Sequence, residues 1–262
     1  LTISIRQIRI GEIDVPGGRK LRLELAADGG ERIPAILLLP EGDVGTPSGS
    51  TVNSRPAALL LHGYTSRKER MADTVGAALL QRKVTSLAID FPMHGDREGD
   101  LFAQRSPMQL ATQWRTALAE CELALGYLGA RAELDRDRLG IVGYSLGAFL
   151  GITVAASHRR VRALVLAAGG DFPVGMPFEP VLRAFANPLK AARQYGGRPL
   201  LMVNGRNDRT VRPDQAERLF AAAGEPKEMR WWNCGHVLPT EAIADGCDWL
   251  AERLGGATAA SP

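Results

Sequence analysis

Five short apolar runs, at residues 57–61, 85–89, 139–142, 163–168 and 200–203, set the strongest limit on how this chain can fold. Runs of this kind, without polar alternation, are what parallel strands look like when both faces of their sheet are covered. Stretches of helical length separate them, at 67–82, 107–128, 146–157, 178–195 and 213–223. A further strand is expected at 227–233 and a last helix at 240–254. Strand and helix in short alternation imply a parallel sheet wound by right-handed crossovers.

The first forty residues read differently. Leu21, Leu23 and Leu25 alternate with Arg22 and Glu24, the period of a half-buried strand, and residues 33–39 read as a second strand ended by Pro40. These should add antiparallel strands at one edge. Residues 41–55, rich in Gly, Ser, Pro and Thr, read as a flexible loop. The expected fold class is therefore α/β: a mostly parallel central sheet with antiparallel N-terminal strands and helices on both faces. The chain has 262 residues, enough for one full core without disulfides or metals. We expect one domain over residues 1–254, a small loop-helix insertion at about 169–199, and a disordered tail at 255–262.

Composition removes several function classes. Net charge is +3, and basic and acidic residues are mixed, as in Arg67-Lys68-Glu69-Arg70. Without a basic block, nucleic acid is not an expected partner. The three cysteines, Cys121, Cys234 and Cys247, are odd in number and lack a CxxC spacing, so no disulfide framework is expected. The four histidines, His62, His94, His158 and His236, show no zinc-type pairing. Neither a metal nor another cofactor is expected. No apolar run reaches the roughly 20 residues of a membrane span, and no signal peptide is visible. The expected location is the cytoplasm, although a start at Leu1 rather than Met leaves room for a removed leader.

In open α/β sheets, ligands bind beyond the carboxyl ends of the strands. Just after the apolar runs stand His62-Gly63-Tyr64-Thr65, then Asp90 to Asp96, then Gly143-Tyr144-Ser145, then Gly169-Gly170-Asp171, then Asn204 to Asp208. Cys234-Gly235-His236 follows the last strand. A serine, an acid and a histidine thus occur in that order at strand ends. Gly143-Tyr144-Ser145-Leu146-Gly147 between a strand and a small-residue helix forces a sharp turn that lifts the serine hydroxyl clear of the backbone. The following helix aims its N-terminal N–H groups and positive dipole end at the same point.

With these motifs the chain resembles the α/β-hydrolases, specifically the lidless bacterial carboxylesterase and dienelactone-hydrolase-like group. HGYTSRKE (62–69), DFPMHGDRE (90–98), GYSLGA (143–148), NGRNDRTV (204–211) and NCGHVLP (233–239) carry the resemblance, which covers about residues 57–254. Dienelactone hydrolases proper use a cysteine nucleophile. Ser145 stands there in this chain, so their lactone activity is not implied.

The resemblance implies a serine hydrolase with Ser145 as nucleophile, His236 as base and Asp208 as the acid that orients it. Asp171 is a rival acid position. A hydroxyl barely ionises at neutral pH and needs such a base, and an imidazole can take a proton and return it. The backbone N–H groups of Tyr64 and Leu146 are the implied oxyanion donors. His62 should brace that loop, and Asp90, His94 and Asp96 should hold theirs. Met93, Phe172, Val174, Met176, Phe178 and Leu238 are the expected substrate-pocket residues. The expected partner is a small-molecule ester of short acyl chain; oligomeric state is not readable. Thioesterase, acyltransferase or peptidase chemistry would use the same three residues, and a non-catalytic binding relative is the alternative of another class.

Overall fold

The computed structural model describes residues 5–27, 30–42, 54–97, 99, 106–175 and 179–256. Most of the 41–55 loop and residues 257–262 of the expected tail lie outside these. Nine strands form one sheet in the order β1-β2-β3-β5-β4-β6-β7-β8-β9. β1 (Ile5–Val15), β2 (Gly18–Ala27) and β3 (Ile33–Pro40) are antiparallel, and β3 runs antiparallel to β5 (Thr85–Ile89). From there β4 (Arg55–Leu61), β6 (Leu134–Tyr144), β7 (Val161–Ala167), β8 (Leu200–Gly205) and β9 (Lys227–Trp232) are parallel, as the apolar runs required.

The sheet separates two buried cores. On one face Leu59, Leu61, Ile141 and Leu164 pack with residues of α3 (Pro107–Ala130), α4 (Leu146–Ser157), α6 (Pro188–Tyr195) and α7 (Pro213–Ala222). On the other, Ala58, Leu60, Val142 and Val165 pack with α2 (Ala77–Gln81), the residues leading into it, and α8 (Thr240–Leu254). Strand side chains alternate between faces, so a run of apolar residues feeds both cores at once. Among the described residues, no helix is long and apolar enough to cross a membrane.

Three expected elements differ in detail. The helix expected at 67–82 is α1 (Lys68–Met71), a π turn over Ala72–Gly76, and α2. The helix expected at 178–195 is two: α5 (Glu179–Phe185) and α6. Pro188 cannot donate a backbone hydrogen bond, and Asn187 caps the new start by accepting from Lys190 N at 3.0 Å. The strand expected at 139–142 begins at Leu134, because Arg55 at the start of β4 pairs with Leu134. At the C-terminus the described part of the expected tail is ordered: Gly255 ends α8 in a left-handed conformation, and Gly256 N donates to Ala251 O at 2.7 Å.

One buried cluster ties the loops after β4 and β5 together. Lys68 is fully buried, and its ammonium donates to Asp90 and Asp96, each at 2.7 Å. Glu69 lies 2.9 Å away. Lys68 N and Asp96 N also donate to Asp90, at 2.7 and 3.0 Å. Burial pulls the Lys68 pKa down, but the three carboxylates outweigh it and leave it raised. Hydrogen bonds from Lys68 and Arg22 hold Asp96 down at about 2. This clasp therefore stabilises the fold fully above the ordinary carboxylate range and less as pH falls towards 2. Lys68→Met leaves a buried carboxylate without its cation and should cost about 3–5 kcal/mol. A lower urea midpoint at unchanged slope would show it; an unchanged midpoint would contradict it.

Candidate active site

β6 runs from the core to Tyr144, and α4 starts at Leu146. Between them Ser145 takes φ 51° and ψ −111°, a strained conformation for a residue with a side chain. Two contacts show why the flanking residues are glycines. A Cβ at Gly147 would lie 2.1 Å from the Leu61 carbonyl oxygen, and one at Gly143 would lie 2.2 Å from the Gly147 carbonyl oxygen. No side chain fits either gap. Among the described residues, five non-glycine residues have positive φ. Four of them, Thr65, Met93, Ser145 and Ala168, stand within four residues of the carboxyl ends of β4, β5, β6 and β7. Backbone strain is thus gathered at one end of the sheet.

Asp208, His236 and Ser145 meet there. His236 Nε2 is 2.9 Å from Ser145 Oγ, and His236 Nδ1 is 2.8 Å from Asp208 Oδ2. An ionised carboxylate only accepts hydrogen bonds. Nδ1 therefore carries the imidazole proton, and Nε2 is left to accept from the serine hydroxyl. The Asp208 side chain is fully buried. Its other oxygen accepts from Thr210 N at 2.8 Å and Val211 N at 3.0 Å, which satisfies the charge and fixes its direction. The rival acid is committed elsewhere. Asp171 receives both terminal nitrogens of Arg183 at 2.9 Å and Arg218 Nε at 3.3 Å.

The two N–H groups expected as oxyanion donors belong to peptide units whose carbonyls are fixed by hydrogen bonds. The Ser145 carbonyl accepts from Ala148 N at 2.8 Å and Phe149 N at 3.3 Å along α4. The Leu146 N–H of that same peptide unit points the opposite way, out of the helix start. The loop after β4 supplies the second. Gly63 abuts Ser145, since a Cβ there would lie 3.5 Å from Ser145 Cβ. The Gly63 carbonyl accepts from Ser66 N at 3.1 Å and meets His62 Nδ1 at 2.8 Å. This fixes the peptide plane that carries the Tyr64 N–H. His62 Nε2 accepts from Phe91 N at 3.3 Å, so the proton belongs on Nδ1. Desolvation lowers the His62 pKa to about 4 and keeps the ring neutral around pH 7. His62 is a brace, as expected from sequence. His94 is also buried, its Nδ1 2.9 Å from the Pro92 carbonyl, and desolvation lowers its pKa.

The expected pocket residues are scattered. Phe172 stacks on Phe149, ring centroids 5.5 Å apart and 14° between planes, with the Arg183 guanidinium 5.5 Å from its centroid. Phe149, one helical turn beyond Ser145, is half-buried, and its pairing with Phe172 was missed by sequence reasoning; its spacing of four from the serine was the available signal. Met93 is half-buried on the turn after β5, and Val174 is 74% exposed. Met176 and Phe178 lie outside the described residues. Leu238, also expected there, is buried. It is 7% exposed and packs in the core beneath α8, beside Val142, Val165 and Val203. The chain turns inward there to enter α8, so its apolar side chain fills the core. Cys234 is half-buried against the same core, and burial raises its thiol pKa.

A mixed sheet in this order, clad by helices on both faces, with a serine on the turn from a central strand into a helix, defines the α/β-hydrolase class of fold. The chain belongs to the alpha/beta hydrolase family, which is matched over residues 58–202, more than half its length. It is 26% identical over 250 residues to the esterase YjfP of Escherichia coli, an alignment covering 85% of this chain and 96% of that protein. It is 29% identical over 152 residues to the polyketide transferase ATR5 of Stachybotrys chlorohalonatus, covering 56% of this chain and 48% of that one. The chain thus spans about half the length of ATR5 and nearly all of YjfP. Among solved structures, a cold-adapted esterase from an Arctic intertidal metagenomic library superposes with a TM-score of 0.72 at 24% identity, over 92% of this chain and 97% of that one.

Proposed function

We propose that this protein is a serine hydrolase that cleaves short-chain carboxylic esters through an acyl-enzyme on Ser145. The observation that carries the reading is the unbroken hydrogen-bonded line from Asp208 through His236 to Ser145 Oγ. Ser145 Oγ attacks the ester carbonyl and His236 Nε2 takes its proton. Asp208 steadies the imidazolium without being protonated itself. The negative oxygen of the tetrahedral intermediate lies against the N–H groups of Tyr64 and Leu146, each worth about 3–4 kcal/mol of barrier. The intermediate collapses, and the alcohol leaves with the proton from His236. Water then attacks the acyl-enzyme with His236 again as base, which releases the acid and restores the serine. No cofactor takes part. Residues 1–254 act as one domain, with 169–199 as a small insertion that contributes Phe172 to the acyl or alcohol pocket.

Two further observations support this reading. An esterase-named relative aligns along nearly its whole length. Tyr64, next to Gly63, and Val237, next to His236, are 49% and 69% exposed and offer apolar surface suited to small soluble esters. Turnover of p-nitrophenyl esters of rising chain length tests the substrate class. Acetate and butyrate should be cleaved fastest, and faster cleavage of laurate would refute the short-acyl preference. A fluorophosphonate probe should label the wild type at Ser145; a folded wild type that stays unlabelled would instead be a binding protein.

A further inference from the structure

The hydrolase reading leaves open what holds His236 in line. β9 lies three strand spacings from β6, about 14 Å at the usual separation. The segment after β9 must cross that distance to bring its imidazole over Ser145, and it does so without regular structure. Among the described residues, its backbone-to-backbone hydrogen bonds stop at Cys234, whose carbonyl accepts from Asn207 N. They resume at Pro239, whose carbonyl accepts from Ala242 N. Between these points two peptide groups are held by one side chain. The Tyr144 hydroxyl donates to the His236 carbonyl at 2.6 Å and accepts from Leu238 N at 3.0 Å. The Tyr144 ring also meets the imidazole edge to face, with centroids 6.1 Å apart.

We propose that Tyr144 is a positioning residue: its hydroxyl clamps residues 236–238 onto the nucleophile turn and thereby sets the distance between His236 and Ser145. The inference rests on the hydrolase reading and adds a role for the residue in the middle of Gly-Tyr-Ser. Tyr144 precedes Ser145 directly, so the nucleophile and its base are referred to one rigid point at the end of β6. The hydroxyl bonds to the backbone of His236 and Leu238, so its effect passes through His236.

Tyr144→Phe removes the clamp and keeps the ring. The expected result is a kcat lower by about 10–100-fold, the scale set by a misplacement of roughly 1 Å, with KM changed less than about twofold. The low-field proton NMR signal of His236 Nδ1–H should broaden or vanish, and fluorophosphonate labelling should slow in step with kcat. To separate positioning from loss of fold, both proteins are also compared in the cold, where both are folded. A variant with wild-type kcat and an intact low-field proton would overturn the inference while leaving the hydrolase reading in place. So would a kcat deficit that disappears in the cold. An unlabelled, folded wild type removes the hydrolase reading, and this inference with it.

Discussion

Ser145→Ala is expected to lower kcat for p-nitrophenyl butyrate by on the order of 10⁶-fold, as when a nucleophile is removed from a unit of residues that act together. The fold should survive. Alanine can sit where serine sits at φ 51°, and the hydroxyl lost is the one facing His236 Nε2. Its net contribution to stability is expected to be about 1 kcal/mol or less, so the melting temperature should barely move. Fluorophosphonate labelling should be lost completely. Should the alanine variant keep more than a trace of turnover, the acyl-enzyme route through this residue is wrong.

The second large effect separates the two candidate acids. Asp208→Asn should lower kcat by about 10⁴-fold, because an amide can no longer both hold the Nδ1–H tautomer and stabilise the imidazolium. Asp171→Asn should leave kcat within a few-fold of wild type. Its carboxylate faces Arg183 and Arg218 rather than the imidazole. The cost there is stability, on the order of 2 kcal/mol, discounted from the 3–5 typical of a fully buried pair because Arg183 is 22% exposed. Paired kinetics and melting curves read both. If the catalytic loss fell on Asp171 and the stability loss on Asp208, the assignment would be reversed.

The two acids also mark how much of the site could be read in advance. Ser145, Asp208 and His236 stand out because the chemistry needs those residue types just beyond strands, and apolar runs locate strands without coordinates. The helix at 146–157 was legible to its ends, since a serine turn opens it and its interior is apolar on several faces. The proposed oxyanion donors could be named only by their place in the chain, since backbone N–H groups carry no side-chain signal. The pocket was the least legible. An apolar residue beside a reactive loop can face substrate or core, and Leu238 faces the core.

Lys68 and Tyr144 show the same division. In Arg67-Lys68-Glu69-Arg70 the lysine reads as one solvated charge among several. It is buried only because the loop after β5 brings Asp90 and Asp96 to it. Tyr144 reads as a spacer within a glycine-serine motif, and its hydroxyl gains a role only when residues 236–238 arrive from β9.

By itself the sequence determined the class of sheet, the succession of strands and helices, and the residue types available at the strand ends. Those properties follow from local hydrophobic patterning and backbone sterics, which act within a few residues. The tertiary structure alone decided which lysine is buried, what engages the rival acid Asp171, and what holds the histidine over the serine. Those depend on contacts between residues far apart in the chain, and only the packed sheet brings such residues within hydrogen-bonding distance.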